Sequence, residues 1–513
     1  MSEIAIQTLP PDQPARIRIR TSLDETLFVE AGAGSGKTTA LVERIVATVK
    51  SGIAITDIAA ITFTEKAASE LRHRVREELT RASVGSDREA RSCAAAIDEL
   101  DRAALGTLHS FAQRILSEFP IEAGLPPRIE VLDEIGSQLM FENRWRDDLD
   151  RLLQDADDDD DLADVLLYSR AASIRRREFR QLMAALGREI DRVEAWLPGE
   201  APVVPTLIVD DISRGVRELL HDCHAVMTAA PDDKLVQHLL TLKAFADGLD
   251  AADSYHRFVL LTKVKLVSRL GIAKTWGGPE GKQQVVDALH DLQQRATDRT
   301  RAIQHACLQH LAVIFGRMSL ASAHERKREG KLEFHDLLVL ARGLLRHPEH
   351  GHIVRCHLHT RWKRLLLDEF QDTDPIQLEL ASLIATDPSR MDEEWENLPP
   401  EPGHLFVVGD PKQSIYRFRR ADIGLFLAAR QALTDDVVHL TTNFRTTEPI
   451  IDWVNHVFGR LIQEKAGAQA AFVALHSARS GATAGPHVLT VGQEHTSTAN
   501  DIRSAEEIGR AHV

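Results

Sequence analysis

Five short apolar runs punctuate the chain, and each ends in a turn crowded with polar chemistry. They are TLFVEA (26–31), IAAITFT (58–64), RLLLDE (364–369), HLFVVGD (404–410) and VVHLTTNFR (437–445). Continuous apolar runs of this length suit strands buried on both faces of a parallel sheet. Helical patterns lie between them, over 37–50, 65–80, 107–119 and 375–386. Strand alternating with helix predicts an α/β, doubly wound fold. In such sheets ligands sit off the carboxyl ends of the strands, where the loaded turns fall.

The middle of the chain follows another rule. From about 125 to 330 the periodicity is helical and strand patterns nearly vanish. Phe179, Leu182, Met183, Leu186, Ile190 and Val193 recur at three- and four-residue steps, one face of a helix. Pro198-Gly199 stops that pattern, and GEAPVVPT reads as a linker. The Gly-rich KTWGGPEGK (274–282) precedes another long helical stretch. The expectation is one α/β domain split by an all-helical insertion.

Composition narrows the class. With 513 residues, 43% of them hydrophobic and 27% charged, the chain reads as globular, with about two to four domains. No apolar run approaches the ~20 residues of a membrane span. The N-terminal stretch has no signal-peptide core, so a cytoplasmic protein without membrane attachment is expected. Cys93, Cys223, Cys307 and Cys356 form no C-x-x-C pair, which argues for free thiols and against zinc or iron–sulfur ligation. The histidine-rich HPEHGHIVRCHLH (347–359) has no standard metal-ligand spacing either. A net charge of −15 disfavours binding nucleic acid over the whole surface but permits a local basic groove.

The turn after the first run is AGAGSGKTT: Ala31, Gly32, Ala33, Gly34, Ser35, Gly36, Lys37, Thr38 and Thr39. Glycines that permit positive φ let successive backbone N–H groups point at phosphate oxygens, and the following helix adds its N-terminal dipole. Lys37 is placed to reach the β and γ phosphates, and Thr38 to offer its hydroxyl to Mg²⁺. LLLDEFQDTD (365–374) supplies the acidic counterpart. Asp368 suits Mg²⁺, and Glu369 suits a base that takes a proton from attacking water. In VGDPKQSIYRFRRADI (408–423), Gln413 suits contact with a γ phosphate or that water. Tyr416, Phe418 and Arg419 suit single-stranded nucleic acid, with rings stacking on bases and arginines taking phosphates. The alternative puts Phe418 in the core and the arginines on the surface. Arg445, in NFRTTEPI (443–450), suits an arginine finger acting in cis, or a surface residue.

Taken in order, these stretches resemble superfamily 1 DNA helicases of the UvrD/Rep type, most of all the RecB/AddA-like branch of helicase–nuclease complexes. The resemblance implies a RecA-like sheet with a large helical insertion, ATP and Mg²⁺ as ligands, and 3′-to-5′ movement on DNA. It implies that DQPAR (12–16) places Gln13 on adenine. It implies that Phe63 and Thr64 in ITFTEKAASELRHRV (61–75), and Thr107 and His109 in GTLHSF (106–111), lie near DNA. It also makes Gln413 a γ-phosphate sensor whose neighbours Tyr416, Phe418 and Arg419 touch single-stranded DNA. Partners would be single-stranded DNA, duplex ends, and a nuclease or helicase subunit.

The implied domains are 1–124 and 331–460 for the ATP-binding fold and 125–330 for the inserted DNA-binding subdomain. Residues 461–506 would begin a following region. Family members place a second RecA-like domain there, yet 460–513 matches none of its motifs. The ending EIGRAHV (507–513) reads like translated sequencing adapter, so a longer native gene is expected. Two other readings stay open: an ATP-gated DNA-binding module without turnover, and a P-loop kinase or transport ATPase.

Overall fold

The computed structural model describes residues 9–390, 399–415, 422–433 and 437–479. Two compact units emerge, one combining the chain up to Phe111 with the chain from Leu344 onward, the other Ala112–Gly343. Strands in chain order are β1 (Leu27–Ala31), β2 (Ile58–Thr62), β3 (Ala104–Thr107), β4 (Glu130–Val131), β5 (Lys331–Leu332), β6 (Arg364–Leu367), β7 (Leu405–Gly409), β8 (Val438–Leu440), β9 (Thr442–Thr447) and β10 (His476–Arg479).

The first unit is built on a six-stranded sheet in the order β3-β2-β6-β7-β1-β8. Every neighbouring pair is parallel. All positions of β1, β2 and β7 are buried, which is why their sequences are apolar without alternation. The period-2 rule still sorts their side chains. Leu27, Val29 and Ala31 join the core under the helices Lys37–Lys50 and Glu65–Ala82. Phe28 faces the other way, edge-on to Phe370 and Phe426 with ring centroids 5.7 and 5.1 Å apart.

Two elements differ from the pattern-based expectation. Strand β3 lies on ALGT, too short and too rich in small residues to show as an apolar run, and the helix after it begins at Leu108. The run 437–445 is not one strand. Thr441 divides it into β8, which pairs with β1, and β9, which pairs with β10.

The helical unit is organised by a helix of 51 residues, Pro279–Glu329, about 77 Å long at 1.5 Å per residue. The periodic face from Phe179 to Val193 packs against it, but as two helices, Arg176–Arg188 and Ile190–Trp196, because the Glu189 backbone leaves helical geometry. Trp145 and Phe179 lie against Phe315 of the long helix, with centroids 6.1 and 5.7 Å from its ring. Pro279 starts the long helix, where its missing N–H costs nothing, and Gly330 ends it at φ +70°.

A Cβ on Gly330 would fall 2.5 Å from Pro126 Cγ and 2.8 Å from the Arg128 carbonyl. The substitution Gly330→Ala combines left-handed strain with that clash. It is expected to cost about 2 kcal/mol, read as a lower denaturant midpoint.

Candidate nucleotide-binding site

The carboxyl ends of β1, β6 and β7 bring three loaded turns to one edge of the sheet. The loop after β1 turns through Gly34 at φ +71° and Gly36 at φ +85° and enters the helix at Lys37. Gly32 does not use positive φ. A Cβ there would meet Leu475 Cδ2 at 2.5 Å, the end of a flexible side chain. Lys37 Nζ lies 2.6 Å from Glu369 Oε2. Thus the loop's cation and the acid at the tip of β6, far apart in sequence, form one ion pair.

Glu369 holds φ +50°, a left-handed conformation that costs a non-glycine residue about 1 kcal/mol or more. Asp368 beside it is buried, and its Oδ1 accepts the Glu369 amide at 2.9 Å. Burial, reinforced by the Glu369 charge and opposed by Lys37, pushes Asp368 up to about 6. The same balance raises Asp372 to about 6, and its Oδ1 is buried without a hydrogen-bond partner.

Gln371 ties this acidic turn to the next. Its Nε2 donates to Glu369 Oε2 at 2.7 Å, and its Oε1 accepts the Asp410 amide at 2.8 Å. Asp410 Oδ2 in turn accepts from Gln413 Nε2 at 2.8 Å. Glu369 and Gln413 are therefore joined by three hydrogen bonds through Gln371 and Asp410.

The other wall comes from the two ends of the described chain. Asn443 Nδ2 donates to the Ala33 carbonyl at 2.6 Å, and the Phe444 amide to the Gly34 carbonyl at 2.9 Å. A Cβ on Gly34 would lie 2.7 Å from Asn443 Nδ2 and 3.1 Å from Arg445 Cβ. Arg445 is exposed and sits beside the loop, its amide held by Asn443 Oδ1. Asp12 is a buried anchor. Its carboxylate accepts the Thr441 and Thr442 amides, both at 2.9 Å, and the Thr442 hydroxyl at 2.7 Å. It also forms a two-point pair with Arg16, whose Nη2 donates onward to the Ser35 carbonyl at 2.9 Å. The Arg16 guanidinium lies 4.9 Å from the Phe444 ring centroid. Gln13 starts the adjoining helix and is half-buried.

Thr38 is half-buried at the head of its helix, while Ala33 and Thr39 are exposed. The residues fit a magnesium nucleotide. The loop's amides and Lys37 offer donors, Ser35 Oγ is buried with no partner, and Thr38 and Asp368 supply the oxygen ligands that Mg²⁺ prefers.

At the far side of the same sheet edge, β2 and β3 end in register at Thr62 and Thr107. Thr64 caps the helix after β2, accepting the Ala67 amide at 3.1 Å. The Thr107 hydroxyl donates to Glu65 Oε1 at 2.7 Å. Phe63 and His109 flank these residues and are half-buried. Tyr416, Phe418 and Arg419 lie outside the described residues. Sequence reasoning singled out neither Asp12 and Arg16, nor Gln371, Asp372 and Asn443. The stretches DQPAR, DEFQDTD and NFR contain them, yet their roles depend on partners distant in sequence or on loop geometry.

A parallel sheet with a glycine loop, a lysine and an opposing acid at its carboxyl edge defines a RecA-like P-loop nucleotide-binding fold. The family model of the UvrD/REP helicase N-terminal domain matches residues 12–434, and the chain belongs to that family. It is similar to an ATP-dependent helicase/nuclease subunit from Ligilactobacillus salivarius, 25% identical over 89% of this chain and 39% of that protein. The protein of the same name from Geobacillus kaustophilus is 25% identical over 94% of this chain and 42% of its own length. The exonuclease/helicase subunit RexA of Lactococcus lactis is 26% identical over 91% and 41%. The chain thus spans about two fifths of the length of these relatives. Among the described residues, no helix is long and apolar enough to cross a membrane.

Proposed function

We propose that the protein is an ATP-dependent DNA helicase or translocase of repair or recombination, moving 3′ to 5′ and working with a nuclease or helicase partner in the cytoplasm. The observation that carries the reading is the 2.6 Å contact between Lys37 and Glu369, which joins the glycine loop to the acidic strand end. In a chain of the UvrD/REP family, that pairing supports ATP hydrolysis rather than nucleotide binding alone.

Lys37 and the loop amides hold the phosphates, and Glu369 takes a proton from the attacking water. Arg445 neutralises charge developing on the transferred group. Mg²⁺, held by Thr38 and Asp368, would neutralise phosphate charge. Gln413 links the γ phosphate to Tyr416, Phe418 and Arg419, the proposed single-strand contacts. Phe63, Thr64, Thr107 and His109 continue that track, and the helical unit serves as the inserted DNA-binding subdomain. Gln13 takes the adenine.

The deciding experiment is ATP hydrolysis by the intact enzyme with and without single-stranded DNA. Stimulation of at least about tenfold is expected, equal to roughly 1.4 kcal/mol of barrier. ATP hydrolysis indifferent to DNA would overturn the helicase reading. Nucleotide-dependent DNA binding with no turnover would favour a gated binding module.

A further inference from the structure

The opposite edge of the sheet carries a second cluster that nucleotide chemistry does not use. His359 lies in the last turn of the helix Gly351–Arg361, and Glu401 and His404 lead into β7. His404 Nε2 donates to the Trp362 carbonyl at 2.7 Å, and His359 Nδ1 to the Ile384 carbonyl at 2.9 Å. A carbonyl only accepts, so each of these ring nitrogens carries the hydrogen. In the neutral rings, the other two nitrogens are therefore lone pairs. One nitrogen of each ring and a Glu401 oxygen lie within 4.8 Å of one another, and the lone-pair nitrogens, His359 Nε2 and His404 Nδ1, are the ones that face Glu401 Oε2.

We propose that His359, His404 and Glu401 bind a divalent transition-metal ion of the zinc type, leaving a further position to water. Two imidazoles and one carboxylate suit zinc, and each ring is fixed through its second nitrogen by a backbone carbonyl, as metal-bound histidines usually are. A tetrahedron with bonds of about 2.0–2.1 Å has edges of about 3.3 Å. His359 Nε2 already lies 3.3 Å from Glu401 Oε2, and His404 Nδ1 lies 3.9 Å from the same oxygen. The two rings stack at 4.3 Å with 24° between their planes, so binding tilts them apart. His359 and Glu401 are the more exposed members and supply that movement, while His404 is buried.

A proton does not account for the cluster equally well. Protonated His359 answers the Glu401 carboxylate but not the His404 lone pair. One cation among the three atoms satisfies all of them. The ion would pin the segment before β7 to the end of the helix before β6, on the edge away from Lys37 and Asp368. Its role is structural. Local spacing within 347–359 gave no hint of it, because two of the ligands lie beyond β6 in the sequence.

The test is zinc retention by the full chain, stripped with chelator and dialysed against zinc in excess magnesium, together with thermal unfolding. About one zinc per chain and a higher melting temperature with zinc are expected. Both His359→Gln and Glu401→Gln, at half-exposed or exposed positions, should weaken zinc binding at least about tenfold and abolish the thermal shift. His352→Gln, which alters the exposed histidine beside Cys356, should change neither. The proposal fails if wild-type protein retains no zinc, if Glu401→Gln retains it fully, or if His352→Gln is the variant that loses it.

Discussion

Lys37→Ala is expected to abolish ATP turnover, lowering kcat by at least about 1,000-fold, roughly 4 kcal/mol of transition-state stabilisation. Two losses combine. The phosphates lose their cation, and Glu369 loses the ammonium that lies 2.6 Å away. Glu369→Gln separates these effects. It removes the proposed base but leaves Lys37 free for the phosphates, so nucleotide binding should survive while turnover falls about 100- to 10,000-fold. Single-turnover hydrolysis with parallel nucleotide-binding titrations measures both. Turnover retained in Lys37→Ala would refute the proposed site.

Asp12→Ala should be the most damaging single change to stability near the site. The carboxylate satisfies two backbone amides, one hydroxyl and Arg16, and its side chain is almost wholly buried. Removing it leaves those amides unanswered and strips a mostly buried guanidinium of its counter-charge. A loss of about 2–4 kcal/mol is expected by denaturant unfolding, discounted because Arg16 keeps some contact with water. Nucleotide affinity should fall too, since Arg16 braces the Ser35 carbonyl.

The pH dependence has a definite sign. Burial alone would raise Asp12, but Arg16 and the bonds from Thr442 outweigh it and hold the carboxyl below its usual range. Its contribution is therefore present above the unfolded value near 3.9 and lost as pH falls through the lower folded one. The gap between wild type and Asp12→Ala should close on acidification below about pH 4. A gap unchanged at pH 3 would show that the charge is not what stabilises.

The sheet's centre was legible because burial on both faces forces continuous apolar strands. β1, β2, β6 and β7 announce themselves in this way. β3 did not, since Gly106 and Thr107 occupy half of a four-residue strand. The division at Thr441 was invisible for a different reason. It is imposed by Asp12, whose carboxylate captures two successive amides and turns the chain out of one ladder into another. No local pattern encodes a partner that distant. The placement of Lys37, Asp368 and Glu369 at strand ends was readable because their neighbours in sequence are those strands. Gln371 and Asn443 were not, because an amide that joins two loops looks in sequence like any polar loop residue.

The strand order also governs how the protein emerges from the ribosome. β1 is made well before its sheet neighbours β7 and β8, with β2 to β6 and the whole helical unit synthesised in between. At about 5–20 residues per second, roughly 20–80 s separate the synthesis of β1 from that of β7. β2 and β3 can pair early, and the helical unit is complete before β6 appears. Through that interval β1 is an apolar strand with two open edges, the kind of segment that recruits wrong partners. A chaperone that shelters extended apolar chain would bind this nascent protein between its first strand and its seventh. The nucleotide loop waits in the same way for Asn443, made after β8, whose side chain clasps the Ala33 carbonyl.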